Sequence, residues 1–201
     1  MSIKKEKLTP EEKEAKELAA RRDIYDWIQC LASALIVCVL LFVFVFRVID
    51  VKGSSMVPTL RNKDKMVVSG LFYKPEAGDI VVFKKDEYDP NKALVKRVIA
   101  TGGQKINIDF DNGIVYVNDE PIEEDYIADL TKTKLDFIGP KEVPEGCVFV
   151  MGDNRNHSAD GRYPPIGIFD KRYLLGKVMV LVWPGRAEDD TRSFSRVGRV
   201  Q

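Results

Sequence analysis

The stretch Lys105-Ile106-Asn107-Ile108-Asp109-Phe110-Asp111-Asn112-Gly113-Ile114-Val115-Tyr116-Val117 decides the fold class. Ile106, Ile108 and Phe110 alternate with polar residues, the two-residue period of a half-buried strand. Asp111-Asn112-Gly113 then supplies turn chemistry, and Ile114 to Val117 brings the chain back. Outward from this hairpin the same signals recur. Met66-Val67-Val68, Ile80-Val81-Val82-Phe83, Val148 to Met151 and Val178 to Val182 read as strands, broken by Gly, Pro and Asn. No long amphipathic helix interrupts them, and there is no internal repeat or low-complexity segment. The expectation is a mainly β fold: a compact antiparallel barrel or pair of packed sheets, preceded by one transmembrane helix.

That helix is read from Ile28 to Phe46, which contains no charged residue. At about 1.5 Å per residue such a run nearly spans a hydrocarbon core of roughly 30 Å. Trp27 and Arg47 flank it, residues suited to the headgroup region. A cleavable signal peptide is the rival reading. The run is long for an apolar h-region, a mostly polar segment precedes it, and no clear small-residue cleavage site follows, so a retained anchor is expected. Upstream, Thr9-Pro10-Glu11-Glu12 has a capping Thr, a Pro at the first helical position and a Glu three residues after the cap. Glu12–Lys16 and Glu17–Arg21 add helix-stabilising pairs, so this segment reads as a solvated charged helix. The division is then 1–26 cytoplasmic helix, 27–47 transmembrane helix and 48–201 extracytoplasmic β domain. The basic cluster ending in Arg21-Arg22 places the N-terminus in the cytoplasm.

Lys and Arg together number 31, as do Asp and Glu, so the formal net charge is zero. Residues 1–46 carry seven charges of each sign, so neither part of the chain has the basic surplus of a nucleic-acid binder. Of three cysteines, Cys30 and Cys38 lie in the apolar run. Cys147 is left alone in a strand-like run, which excludes a disulfide framework within one chain and reads as a small buried apolar residue.

Three segments carry chemistry. Gly53-Ser54-Ser55-Met56-Val57-Pro58-Thr59 presents serines on a turn just past the span. A serine is a weak nucleophile without an adjacent base, and alone this is a solvated turn. His157, the only histidine, supplies the arithmetic of a Ser–His–Asp triad. A lysine serves instead if desolvation makes it neutral. In Ala93-Leu94-Val95-Lys96-Arg97-Val98-Ile99-Ala100, alternation puts Lys96 on one face with Leu94 and Val98, and Arg97 on the other. The bland reading of Lys96 is a charge that guards an edge strand. In Met151-Gly152-Asp153-Asn154-Arg155-Asn156-His157-Ser158-Ala159-Asp160-Gly161-Arg162, the spacing fits neither a calcium loop nor a zinc site. Its charges suit an ion-pair network. No metal and no cofactor is expected.

Taken in order, Ser55-Met56-Val57-Pro58-Thr59-Leu60, Gly78-Asp79-Ile80-Val81, Lys96-Arg97-Val98 and Gly152-Asp153-Asn154-Arg155 closely resemble the motifs of bacterial type I signal peptidases. The resemblance covers about residues 25–185, and a span lies just upstream as in that family. It implies a β-rich catalytic fold, a serine endopeptidase and removal of signal peptides from exported preproteins after small residues of the Ala-x-Ala type. By position it implies Ser55 as nucleophile and Lys96 as general base. Ser158 would hydrogen-bond and orient the Lys96 amine, while Asp153 and Asp160 pair with Arg97 and Arg162. Val51, Met56 and Val95 would line shallow pockets for small side chains, although flat alternation puts Val95 opposite Lys96. The Ser55 N–H would serve the oxyanion, with a second donor from Ser54 or from backbone near Gly53. Gly53 and Gly161 stand where some members carry Ser. Eukaryotic-type relatives carry His in place of Lys96, so His157 becomes a loop residue. The partners implied are signal peptides, membrane lipid and, by proximity, the secretion machinery. Two other readings stand beside it. A soluble self-cleaving repressor would need a DNA-binding module that this chain lacks. An inactive anchored binder would lack the Ser or the Lys.

Overall fold

The computed structural model describes residues 10–186 and 191–200. The chain divides into two compact units between Phe44 and Val45. The first contains α1, Pro10–Phe44. Pro10 opens the helix, where a missing N–H costs nothing. The expected capping Thr9 and the side chain of Glu12 lie outside the described residues. Within α1, Lys16–Leu41 is long and apolar enough to cross a membrane. Its Leu31, Leu35, Ile36 and Val39 are exposed, as a lipid-facing helix requires.

The helix that the sequence carries to Arg47 ends at Phe44, and Phe46 and Arg47 open a strand instead. An uninterrupted apolar run has no period change to mark that boundary. Pairing decides it: Phe46 lies opposite Ser69 and Arg47 opposite Val68.

The second unit is β-rich. It begins with β1 (Phe46–Asp50), β2 (Lys65–Ser69), β3 (Ile80–Lys84), β4 (Ala93–Thr101), β5 (Lys105–Asp109) and β6 (Ile114–Val117). It continues with β7 (Glu120–Pro121), β8 (Lys141–Glu142), β9 (Cys147–Met151), β10 (Phe169–Asp170), β11 (Leu174–Trp183) and β12 (Gly198–Arg199). One eight-stranded sheet runs β1-β2-β11-β3-β4-β9-β10, with β12 paired to β11. A four-stranded sheet runs β7-β6-β5-β8. All the pairings are antiparallel. Register shifts interrupt β11 against both β2 and β3, and β4 against β9. Such bulges bend and twist strands, and the larger sheet curls into a half-barrel.

The 105–117 hairpin forms as the alternation predicts, with Asp109 opposite Ile114 and the turn between them. Asp109 shapes that turn: its carboxylate accepts from the Asp111 and Asn112 N–H groups, and its carbonyl from Gly113 N at 2.7 Å. Ile106, Ile108 and Val115 bury their faces with Phe137 and Phe149 in a cluster joining the two sheets. Cys147 at the start of β9 is half-buried and free.

β4 positions the chemistry. From Leu94 to Ala100 every residue is buried, on both faces. β3 pairs along β4 from Ala93 to Arg97, whereas β9 joins only from Arg97 onward. The Ala93–Lys96 half of β4 therefore has an open edge on the β9 side.

Candidate active site

The loop between β1 and β2 folds back on itself before it reaches the sheet again. Val51 N donates to Asp64 O and Lys63 N to Val51 O, both at 2.8 Å, which closes the loop at its base. Val51, Met56 and Leu60 point inward and are buried in one cluster with Val95. With those side chains fixed, Ser55 is held half-buried at the loop's rim. The loop is also tied to the segment after β9. Asn154 N donates to Ser55 O at 3.0 Å, and Asn154 Nδ2 to Ser54 O at 3.1 Å.

Lys96 arrives from β4 and is only 2 % exposed. Its Nζ donates to Ser55 Oγ at 2.7 Å and to Val95 O at 2.9 Å. Burial penalises the ammonium form and lowers the Lys96 pKa to about 8; Asp160 and Asp153 oppose the shift, while Lys92 and Arg162 reinforce it. A hydroxyl within hydrogen-bond reach of an amine that titrates near neutrality is an arrangement able to generate an alkoxide. His157 is exposed and has no hydrogen bond to Ser55 among those described.

Val51, Gly53, Ser54, Ser55, Met56, Val95 and Lys96 line one cleft of about 180 Å³, with His157 and Lys92 also contributing to its wall. Val95 reaches this cleft although alternation sets it opposite Lys96. The reason is the open edge of β4: a cleft that runs along a strand edge receives side chains from both faces. Gly53 has a φ of +96° and donates its N–H to Asn62 Oδ1 at 3.1 Å. That N–H is thus engaged, whereas the Ser55 N–H has no acceptor among the described hydrogen bonds.

Behind the cleft lie two ion pairs whose partners are buried. Arg97 donates to Asp153 through Nε at 2.9 Å and Nη2 at 2.8 Å. Arg162 donates to Asp160 through Nε at 2.9 Å and Nη2 at 2.8 Å. Each carboxylate has further donors, Thr59 Oγ1 on Asp153 at 2.5 Å and Gly152 N on Asp160 at 3.0 Å. Such satisfaction is what lets charges remain in an apolar interior. The Arg162 guanidinium also donates to Thr133 O and Arg155 O, so it fixes the turn that carries Ser158.

Ser158 departs from expectation. It has no hydrogen bond to Lys96: its Oγ is buried without a partner. It packs against Gly152 so closely that a Cβ there would overlap Ser158 Oγ and lie 2.5 Å from Ser55 O. The two hydrogen bonds that Lys96 Nζ donates go to Ser55 and Val95, and the Ser158 hydroxyl lies near the site without a partner.

Glu124 and Tyr126 belong to the same network and are not evident in the sequence. Glu124 accepts from Arg155 Nη1 at 2.8 Å, and the Arg97 guanidinium lies 3.9 Å from the centre of the Tyr126 ring. Glu124 sits in the polar run Glu123-Glu124-Asp125, whose composition reads as a solvated loop. The one signal is Arg155, the cation left over in that segment once Asp153 and Asp160 are paired with Arg97 and Arg162.

The sequence profile of the family described as signal peptidase, peptidase S26, matches residues 24–183. The chain belongs to the S26 signal peptidase family. Its relatives include the probable signal peptidase I-1 of Synechocystis sp., 36 % identical over 85 % of this chain and 88 % of that protein. Signal peptidase I of Bacillus licheniformis is 33 % identical over 85 % of this chain and 95 % of its own length. Signal peptidase IB of Staphylococcus aureus is 34 % identical over 82 % and 92 %. A crystal structure of a signal peptidase I from Enterococcus faecalis aligns with a TM-score of 0.44 at 27 % identity, over 52 % of this chain and 97 % of that one. This member of the signal peptidase family is therefore a peptidase, and the cleft between the Ser55 loop and β4 lies within the matched range. Residues 184–201, including β12, lie beyond it.

Proposed function

We propose that this peptidase removes signal peptides from exported preproteins, with Ser55 as nucleophile and Lys96 as general base. The observation that carries the reading is the 2.7 Å contact from Lys96 Nζ to Ser55 Oγ, made by a lysine that is almost wholly buried. Neutral Lys96 takes the Ser55 proton as Oγ attacks the scissile carbonyl. The resulting ammonium gives that proton to the departing amine, leaving an acyl-enzyme on Ser55. Lys96, neutral again, then activates the water that hydrolyses it. Ser158 is assigned the orienting role: its buried, unpartnered hydroxyl can accept from an N–H of the neutral Lys96 amine, which leaves the single lone pair for the Ser55 proton. Asp153–Arg97 and Asp160–Arg162 hold the two segments that meet at the cleft.

The substrate binds as a strand along the open Ala93–Lys96 edge of β4, where backbone groups read any sequence. Selectivity comes from side chains: Val51, Met56 and Val95 surround a space suited to small residues, in keeping with an Ala-x-Ala signal. The tetrahedral oxyanion takes the Ser55 N–H and a second donor, Ser54 Oγ or backbone; the Gly53 N–H is already engaged by Asn62. α1 anchors the enzyme, with its N-terminus in the cytoplasm and the β unit on the outer face of the cell membrane, beside emerging preproteins.

The test is cleavage of a preprotein with sequencing of the product's N-terminus. The expected product begins after a small residue, and Ser55→Ala and Lys96→Ala each abolish it. Efficient cutting after Phe or Arg would overturn the specificity. Substantial turnover by Lys96→Ala, with loss in His157→Ala, would overturn the Ser–Lys assignment.

A further inference from the structure

Beyond the range matched by the family, the chain returns to the loop that carries Ser55. β12 pairs with β11, Val180 opposite Arg199, and Phe194 packs edge-on against Trp183 with ring centres 5.5 Å apart. These contacts place Arg196 over Asp64, which is fully buried at the base of the loop. Arg196 Nη2 donates to Asp64 Oδ2 at 2.6 Å and Nη1 to Oδ1 at 3.1 Å. The same Nη2 also donates to Thr59 O at 3.1 Å. The other donors to Asp64 are backbone groups, Arg61 N at 2.7 Å and Gly185 N at 2.6 Å.

Thr59 is where this clamp meets the chemistry. Its carbonyl is held by Arg196 and its hydroxyl by Asp153, the carboxylate that holds Arg97 next to Lys96. Leu60 N donates to Met56 O at 2.8 Å, so one hydrogen-bonded turn links the neighbour of Thr59 to the neighbour of Ser55. We propose that Arg196 is a positioning residue for the reaction: by bridging Asp64 and the Thr59 carbonyl, it holds the Ser55 loop at the distance from which Lys96 can take the hydroxyl proton. The proposal rests on the Ser–Lys reading above. The bridge needs a planar fork that can satisfy a carboxylate and a carbonyl at once. A lysine in its place supplies the charge but not that geometry.

The experiment compares full-length wild type, Arg196→Gln and Arg196→Lys in detergent. It measures kcat, KM, melting temperature and the acylation rate per folded molecule with a serine-directed probe. Displacing a reacting group by about 1 Å can lower a rate by ~10²-fold, so both variants are expected to lose about 10- to 100-fold in kcat and in acylation rate. KM should change less than kcat, because Val95 and the open Ala93–Lys96 edge of β4 lie outside the displaced loop. Arg196→Lys should keep most of the thermal stability that Arg196→Gln loses. Wild-type turnover by Arg196→Lys, or a loss in Arg196→Gln that merely follows its unfolded fraction, would overturn the proposal. Failure of the underlying reading looks different: wild-type cleavage would survive Ser55→Ala or Lys96→Ala.

Discussion

At neutral pH most copies of Lys96 carry a proton, because burial lowers the pKa only to about 8. As the base must be neutral, kcat/KM is expected to rise nearly tenfold per pH unit below that value and to level off above it. A flat profile from pH 5 to 10 would contradict the assignment. The same burial opposes folding. The folded pKa lies below the ordinary 10.5, so the penalty is fully present below about pH 8 and fades as pH rises toward 10.5. Its size is of the order of 3 kcal/mol, since each tenfold change in a protonation equilibrium is worth about 1.4 kcal/mol. Lys96→Met should therefore be inactive yet more resistant to urea at pH 7, with the gain shrinking by pH 10. A variant less stable than wild type at pH 7 would show that the buried charge is not a burden. Ser55 and Lys96 stand out only through the order of the motifs, because alone a turn serine reads as a solvated turn and Lys96 as a charge guarding an edge strand. Glu124 and Arg196 do not: each is an ordinary charged residue in a polar segment, and only tertiary contact makes it unusual.

The Ser55 loop, β4 and the segment after β9 line the candidate site, and the hairpin and β4 differ in legibility for physical reasons. The alternation of 105–117 shows in the sequence because that hairpin buries one face against the other sheet. β4 is buried on both faces, so its period is masked and its open edge, which brings Val95 into the cleft, is invisible. Strands of two residues such as β7, β8, β10 and β12 carry too little pattern to read at all. β11 starts at Leu174, where it pairs with Phe83, rather than at the expected Val178; Gly176 and Lys177 interrupt the apolar run and hide that start in the sequence. Gly152 offers the test at this scale. Gly152→Ala drives a methyl into Ser158 Oγ and to 2.5 Å from Ser55 O. Ser158 or the Ser55 loop must move, and kcat should fall by ~10²-fold while overpacking lowers stability by about 1–3 kcal/mol. Steady-state kinetics and thermal melts check it; wild-type turnover would mean that the close stacking of Ser158, Gly152 and Ser55 has no part in the reaction.

The whole chain joins a helix suited to lipid and a unit whose buried clusters all lie in residues 45–201. Removal of residues 1–44 should leave a folded β unit by circular dichroism. It should cut soluble peptides at the full-length rate but act more slowly on membrane-inserted preproteins, because co-localisation raises effective concentration. A truncated chain that is unfolded would show that α1 is needed for more than anchoring. The order of the parts along the chain has a consequence for the birth of the molecule. Ser55 and Lys96 are made early, whereas Asp153, Asp160 and Arg162, which form the ion pairs behind the cleft, are made late. A ribosome that has released the proposed nucleophile and base has not yet released the ion pairs behind them. On the proposed assignment, the chemistry is thus latent in a half-made chain by sequence order alone.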